Sequence, residues 1–350
     1  MNNAAWNDAR SVLCIRLDSL GDVLMCTPAI RAIKQSRPGR CVSLLTSREG
    51  VAAAPFIPEV DAIIDYAAPW MEASGAHHPA ADTEFIASIA ARHFDAVAIF
   101  TSFGQSALPA ALTCYLAGIP LRIAHCRENP RRLLSDWIPD LEPATLIRHE
   151  VRRQLDLVAS VGCTAASLGL SFSVLDNDVE AMRARLLAAG INPDRQWLLL
   201  HPDSSAPPRR YRSAHWADVI RDIARRTGVP IILAGNAAER PLIDEIHRGC
   251  GDAACLLAGE LNLGELGAAI KLASVIISND TGSVHLAAAV GTPVVDLCAL
   301  TAPQHTPWQV ESLVLFNDGT APARVVDAAC ALLARSARMM LRAMMHKPNG

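Results

Sequence analysis

Four stretches of this 350-residue chain carry side chains whose types and spacing suit chemistry. The first is Arg16-Leu17-Asp18-Ser19-Leu20-Gly21-Asp22-Val23. It follows an apolar run, so Gly21 and Asp22 fall in a strand-to-helix turn. A carboxylate there either acts as a general base or caps the helix it opens. The second is Ser278-Asn279-Asp280-Thr281-Gly282-Ser283-Val284-His285, continued by Leu286-Ala287-Ala288-Ala289. A strand that ends in Asn-Asp-Thr-Gly, with a small-residue helix directly after it, presents free backbone N–H groups and the positive end of a helix dipole. Both suit phosphate. Gly282 lets an anion come close to the backbone, while Asp280 and Thr281 equally suit a plain helix cap. His285 comes one turn into that helix. The third stretch, His201 to Trp216, is a polar loop after a strand, with Ser204, Ser205 and clustered Arg209, Arg210 and Arg212. Arginine grips phosphate through its two-pronged guanidinium; the other reading is a solvated basic loop. The fourth is Leu233-Ala234-Gly235-Asn236-Ala237-Ala238-Glu239. Glu239, just beyond the Gly that closes a strand, either binds ribose hydroxyls or is a first-turn helix acid.

The elements that must position these residues alternate strand with helix. In the first half, Ser11–Leu17, Cys41–Thr46, Val60–Tyr66 and Phe94–Thr101 read as strands, and Pro28–Lys34 as a helix. The second half starts afresh. Trp197–His201, Val229–Ala234, Ser274–Ser278 and Pro293–Leu297 read as strands; Val179–Ala189, Ser213–Thr227, Leu263–Leu272, Ser283–Val290 and Val325–Met345 read as helices. This alternation predicts α/β units with parallel sheets and helices on both faces. Ligands of such units bind beyond the C-terminal ends of the strands, which is where all four stretches fall. The expected division is a first domain over 1–177, a second over 178–325 and a C-terminal helix or tail over 326–350, with a cleft between the two domains.

Composition narrows the function classes. Lys and Arg number 32 against 35 Asp and Glu, so the net charge of −3 speaks against general nucleic-acid binding. With 51% hydrophobic and 19% charged residues, each half can bury a core. The ten cysteines are scattered, with no C-x-x-C pair, as expected of buried thiols in a reducing compartment. Met1–Arg10 has neither the basic nor the apolar part of a signal peptide, and no apolar run approaches the roughly 20 residues of a membrane span. The expected location is cytoplasmic, with peripheral contact at the cytoplasmic face of the inner membrane left open. There is no G-x-G-x-x-G and no Walker A segment, so dinucleotide and P-loop chemistry lose support.

Taken together, Arg16–Lys34, His201–Trp216, Gly235–Glu239 and Asn279–Trp308 resemble, in order, the signature segments of glycosyltransferase family 9, the lipopolysaccharide heptosyltransferases. The stretch from His149-Glu150-Val151 to Gly162 also resembles the family's segment before its interdomain link, and the similarity runs from about Val12 to Val325. The resemblance implies a GT-B architecture of two Rossmann-like, doubly wound domains facing a central cleft. It implies inverting transfer of a heptose from a nucleotide-diphosphate sugar, typically ADP-heptose, to the lipopolysaccharide inner core. Asp22 then matches the general base. Asp280, Thr281, Gly282 and His285 match residues lining the donor's sugar and diphosphate, with Ser283, Ser204 and Ser205 beside them. Arg209 matches a basic residue, often Lys in the family, that meets the leaving diphosphate, and Glu239 lies on the nucleoside side. Gly21 and Arg122 are expected on the acceptor side. Family members commonly carry a Gly-Pro-Thr run where this chain reads Ala299-Leu300-Thr301-Ala302-Pro303, a departure close to the expected sugar.

No cofactor is implied, and no Asp-x-Asp motif near these segments calls for a divalent ion. The expected acceptor is an anionic glycolipid carrying Kdo or phosphate, held by the first domain. There Arg122, Arg127, Arg131, Arg132, Arg148, Arg152 and Arg153 supply positive charge, with acids interspersed. The tail Arg335–Met345 mixes Arg with Met and Leu, and either touches a membrane or packs on the protein. Two other readings stand beside heptosyl transfer: a family 9-type enzyme using a different nucleotide sugar on another surface glycan, and a non-catalytic nucleotide-sugar-binding protein. A nicotinamide-linked dehydrogenase is more distant, for want of the Gly-rich fingerprint.

Overall fold

The computed structural model describes residues 3–71, 78–202, 211–259, 261–279, 281–298, 304–316 and 319–345. The chain divides into two compact units, Met1–Ser171 and Phe172–Gly350. The first runs α1 (Asn3–Asp8), β1 (Ser11–Arg16), α2 (Leu20–Gln35), β2 (Cys41–Thr46), α3 (Arg48–Ala53), β3 (Ala62–Asp65), α4 (Pro79–Ala90), β4 (Ala96–Ile99), α5 (Leu108–Leu116), β5 (Leu121–Cys126), β6 (Asp136–Pro139) and α6 (Glu150–Ala159). The second runs α7 (Asp176–Ala188), β7 (Leu198–His201), α8 (Ser213–Thr227), β8 (Ile231–Gly235), α9 (Arg240–Cys250), β9 (Cys255–Ala258), α10 (Leu263–Leu272), β10 (Val275–Asn279), α11 (Gly282–Val290), β11 (Val294–Cys298), β12 (Ser312–Phe316) and α12 (Pro322–Met345).

Each unit holds a six-stranded sheet, ordered β3-β2-β1-β4-β5-β6 in the first and β12-β11-β10-β7-β8-β9 in the second. All neighbours pair parallel. Counted within its own unit, the second order is the first one reversed. Both sheets therefore change direction beside their opening strand, between β1 and β4 and between β7 and β10. A doubly wound sheet binds ligands at this crossing, beyond the strand ends.

The central strands are buried on both faces, as parallel strands must be. Val12 to Ile15 are at most 3% exposed, and Leu198 to Leu200 are fully buried. In the first unit Leu13, Ile15, Val97 and Ile99 pack with Ala110, Ala111 and Cys114 of α5. In the second, Trp216, Val219, Ile220 and Ile223 give α8 an apolar stripe at helical spacing against β7 and β8. Gly228 closes α8 at φ 65°, a conformation that favours glycine. All ten cysteines are free thiols.

Most element ends shift by one to three residues from those the sequence predicts, and two boundaries shift further. The helix expected at Pro28–Lys34 begins at Leu20, with Pro28 in its interior. Pro28 cannot donate to the carbonyl of Leu24; the Thr27 hydroxyl donates to it instead, at 2.6 Å, so the helix runs on. The passage between units falls at Ser171 and Phe172 rather than 177/178. The Ser171 hydroxyl donates to Glu59 at 2.7 Å. Phe172 packs so tightly on α10 that a Cβ at Gly267 would lie 2.5 Å from its ring.

Candidate functional site

In the first unit the site grows from the last residue of β1. Arg16 is fully buried, and a cation there requires anions around it. Its Nε lies 2.7 Å from Asp18, its Nη2 2.8 Å from Asp22 and its Nη1 2.7 Å from Glu150, the first residue of α6. Glu150 also accepts from Gln154 Nε2 at 2.7 Å, and Gln105 donates to Asp18. The Thr101 carbonyl, just past β4, accepts from Arg153 and Gln154, each at 3.0 Å. The strand ends at the β1–β4 crossing are thus tied to α6. Burial alone would make Arg16 a weaker base, but Asp18, Asp22 and Glu150 together hold it protonated, well above the usual range.

Asp22 is the most open of the three carboxylates, at 22% exposure against 14% for Asp18 and 3% for Glu150. It does cap α2: the Ser19 hydroxyl donates to its Oδ2 at 2.7 Å and the Ser19 N–H at 3.3 Å. Capping leaves room for chemistry, since a carboxylate has about four acceptor positions. Gly21 is buried beside it, on the same first turn.

Asp18 is pushed up from the ordinary carboxylate range by burial, against the pull of Arg16 and with added repulsion from Asp22. With the folded value above the unfolded one of about 3.9, the unfolded chain releases this proton first as pH rises. The contribution of Asp18 to stability is whole below about pH 4 and is lost as pH climbs through its folded value. Urea unfolding of Asp18→Asn will accordingly show a smaller fall in stability between acid and neutral pH than the parent chain. Equal falls in both would refute this account of the cluster.

In the second unit, β10 ends on Ser278 and Asn279, both fully buried. The hydroxyls of Thr281, Ser283 and Ser278 form a chain, 2.7 Å at each link, that reaches the His201 carbonyl at 3.1 Å. Asn279 donates to the Pro202 carbonyl and accepts the Tyr211 N–H at 3.4 Å. One side chain at the β7–β10 crossing therefore holds both residues that flank 203–210. Thr281 is the N-cap of α11, and Gly282 and Ser283 open the helix, where the first N–H groups have no intrahelical acceptor. His285 is buried on the same helix. Glu239 completes the capping box of a 3-10 turn whose N-cap is Asn236: its Oε2 accepts the Asn236 N–H at 2.7 Å and lies 3.6 Å from His201 Nε2.

The ends of β7, β8 and β10 thus gather Glu239, His201, Ser278, Thr281, Gly282 and Ser283. Gly235 is what lets Glu239 lie so close, because a Cβ there would meet Glu239 Oε2 at 2.3 Å and Ile243 Cδ1 at 2.5 Å. Gly235→Ala is expected to cost about 1–3 kcal/mol, read by denaturant unfolding. A neutral result would show that Glu239 moves aside freely. Ser204, Ser205, Arg209 and Asp280 lie outside the described residues.

Arg122 is not brought to this edge. It pairs with Val97, which pairs with Leu13, three residues before Arg16 and so about 10 Å back along the sheet. Its guanidinium donates to the carbonyls of Leu133 at 2.7 Å, Arg132 at 2.9 Å and Pro120 at 3.1 Å, and to that of Ile119. It also lies over the Tyr115 ring at 5.4 Å. In the fold Arg122 clamps the turn before β5. Glu150, His201 and Asn279 stand in stretches the sequence reading quotes without giving them a role, and Gln105 lies outside all of them. Only Arg16 carried a local signal, a cation ending an apolar strand with two acids just after it.

Three comparisons bear on this arrangement. The family model for glycosyltransferase family 9 (heptosyltransferase) matches residues 84–332. The lipopolysaccharide heptosyltransferase 3 of Escherichia coli K12 is 25% identical over 306 residues, 85% of each chain. Among solved structures, the glycosyl transferase family 9 protein of Veillonella parvula superposes with a TM-score of 0.79 at 17% identity, covering 93% of this chain and 97% of that one. The E. coli ADP-heptose lps heptosyltransferase II gives 0.72 at 22%, covering 93% and 99%. At these identities the two structural likenesses are likenesses of fold.

Proposed function

Because the chain belongs to glycosyltransferase family 9, the heptosyltransferase family, we propose that it moves a heptose from ADP-heptose to a lipopolysaccharide inner-core acceptor, with Asp22 as the general base. The observation that carries the base assignment is the Arg16 cluster: a partly open carboxylate, fixed at the crossing of the first sheet by a buried cation. In the reaction, Asp22 takes the proton of the acceptor hydroxyl. That oxygen bonds to the sugar's anomeric carbon as the bond to the diphosphate breaks, a single displacement that inverts the centre. The departing charge falls to the N–H groups at Thr281 to Ser283 and to Arg209, the latter assigned from its place in the sequence. Thr281, Gly282, Ser283, His285 and Asp280, with Ser204 and Ser205, are assigned to the donor's sugar and diphosphate, and Glu239 to its nucleoside. We assign no divalent ion to the reaction and locate it at the cytoplasmic face of the inner membrane. No helix among the described residues is long and apolar enough to cross a membrane.

The test is turnover by the purified chain, with and without EDTA, on ADP-heptose, UDP-sugars and GDP-sugars with a deacylated inner-core acceptor. The expected result is transfer from ADP-heptose alone, undiminished by EDTA, with inversion seen by NMR of the product. Transfer only from another nucleotide sugar would replace the donor assignment; the Ala299–Pro303 departure motivates that arm. Donor binding without turnover on any acceptor would leave only a binding protein.

A further inference from the structure

The segment between β6 and α6 has its polarity turned inside out. Glu142 is 2% exposed, while its neighbours Leu141, Leu146 and Ile147 are 56%, 45% and 49% exposed. The buried acid is gripped from beneath. Arg148 contacts its Oε1 through Nε at 2.5 Å and the backbone N–H at 3.1 Å, and Arg153 Nη1 lies 3.0 Å from its Oε2. The Thr145 N–H closes the loop on the Leu141 carbonyl at 3.0 Å. A loop usually solvates its charges and hides its aliphatics; here an ion-pair lattice holds the aliphatics outward, where they gain nothing from water.

What surrounds the loop indicates what covers it. Trp137, on the edge strand β6, is 38% exposed, with its ring N–H already given to the Cys126 carbonyl at 2.7 Å. Arg127, 48% exposed, donates to the Glu142 carbonyl at 3.2 Å. Arg152, 58% exposed, shares Asp156 with Arg148. Three half-exposed aliphatic side chains fall far short of the roughly 800 Å² per partner of a stable protein interface. A few apolar side chains flanked by an aromatic and by cations do suffice at an anionic bilayer surface.

We propose that the Leu141–Ile147 loop docks the first unit on an anionic phospholipid surface, with its aliphatic tip among the acyl chains and Arg127 and Arg152 on the headgroups. Ile147 lies three residues before Glu150, which holds Arg16 of the Asp22 cluster. The docked loop therefore adjoins the edge assigned to the acceptor, a clause that rests on the function proposed above.

Flotation of the full chain with phosphatidylcholine vesicles, with and without about one-third phosphatidylglycerol, tests docking by itself. The chain is expected to float with the anionic vesicles only, less so at high salt. Leu146→Asp/Ile147→Asp should lower binding at least about tenfold, and Arg127→Glu/Arg152→Glu by a similar factor. Leu141→Ser, a milder change at an equally exposed position, should lower it severalfold without threatening the fold. Failure of the parent chain to bind, binding unchanged in these variants, or a chain dimer that Leu146→Asp/Ile147→Asp dissociates would each overturn the proposal. Transfer separates the two readings. The Leu146→Asp/Ile147→Asp variant is expected to keep turnover on a deacylated acceptor and lose it on one embedded in vesicles, whereas absent turnover by the parent chain, with vesicle binding intact, counts against the function alone.

Discussion

Asp22→Asn is expected to lower the transfer rate by about 10²–10⁴-fold while leaving ADP-heptose affinity within about twofold. Asparagine keeps the size of the side chain, and its oxygen can still face Arg16 Nη2, 2.8 Å away in the parent chain. What it loses is the capacity to take a proton. Its amide group must also turn N–H atoms toward the Ser19 N–H and hydroxyl, which weakens the cap of α2 by about 1 kcal/mol. That loss is a small part of the stability of a folded unit. Single-turnover kinetics with calorimetric titration of the donor separate the two effects. If Asp22 only capped the helix, the Asn variant would transfer sugar at close to the parent rate, and the base assignment would have to be withdrawn.

Arg16→Met is expected to destabilise the first unit by about 3–5 kcal/mol, because it strips the cation from three buried or half-buried carboxylates. For a unit of this size that is a fall in Tm of roughly 6–20 °C. Methionine nearly fills the space, so the penalty is electrostatic rather than a cavity. Without Arg16 the three acids repel one another and hold their protons more tightly in the fold than when unfolded. The deficit should therefore be small in acid and grow as pH rises toward neutrality. Adding Glu150→Gln should restore part of the loss, a coupling that a double-mutant cycle measures. The exposed Arg240–Asp244 pair serves as a control, expected to contribute under about 0.5 kcal/mol. A loss below about 1 kcal/mol in Arg16→Met would mean that water reaches the cluster after all.

Much of the architecture is legible in local pattern. Cys41–Thr46, Ser213–Thr227 and Leu263–Leu272 read from the sequence with the bounds they have in the fold. The helices among them carry their own punctuation, the Asn262–Glu265 capping box and Gly228. Strands β5, β6, β9 and β12 are less readable. Arg122 and His125 break the apolar run of β5, and β6 is four residues long with an Asp and a Pro. Such segments become strands because a neighbouring strand offers them a ladder, which no local window contains. The same division applies to the site. The turn after β10 announces itself, since strand end, Gly and helix start are contiguous. The Arg16–Glu150 pair spans 134 residues and exists only once the chain has folded.

The last helix shows how a terminal segment can look like an appendage and be otherwise. Val325, Val326, Ala329 and Leu332 of α12 are fully buried in the same apolar cluster as Trp216 and Ile220 of α8. Gln196, just ahead of β7, donates to the Leu333 carbonyl at 2.9 Å. Shortening the gene after codon 325 would therefore not trim a loose end. It would uncover the apolar floor of the second unit and yield insoluble protein, so any abbreviated version made for crystallisation has to keep the chain through at least Ser336.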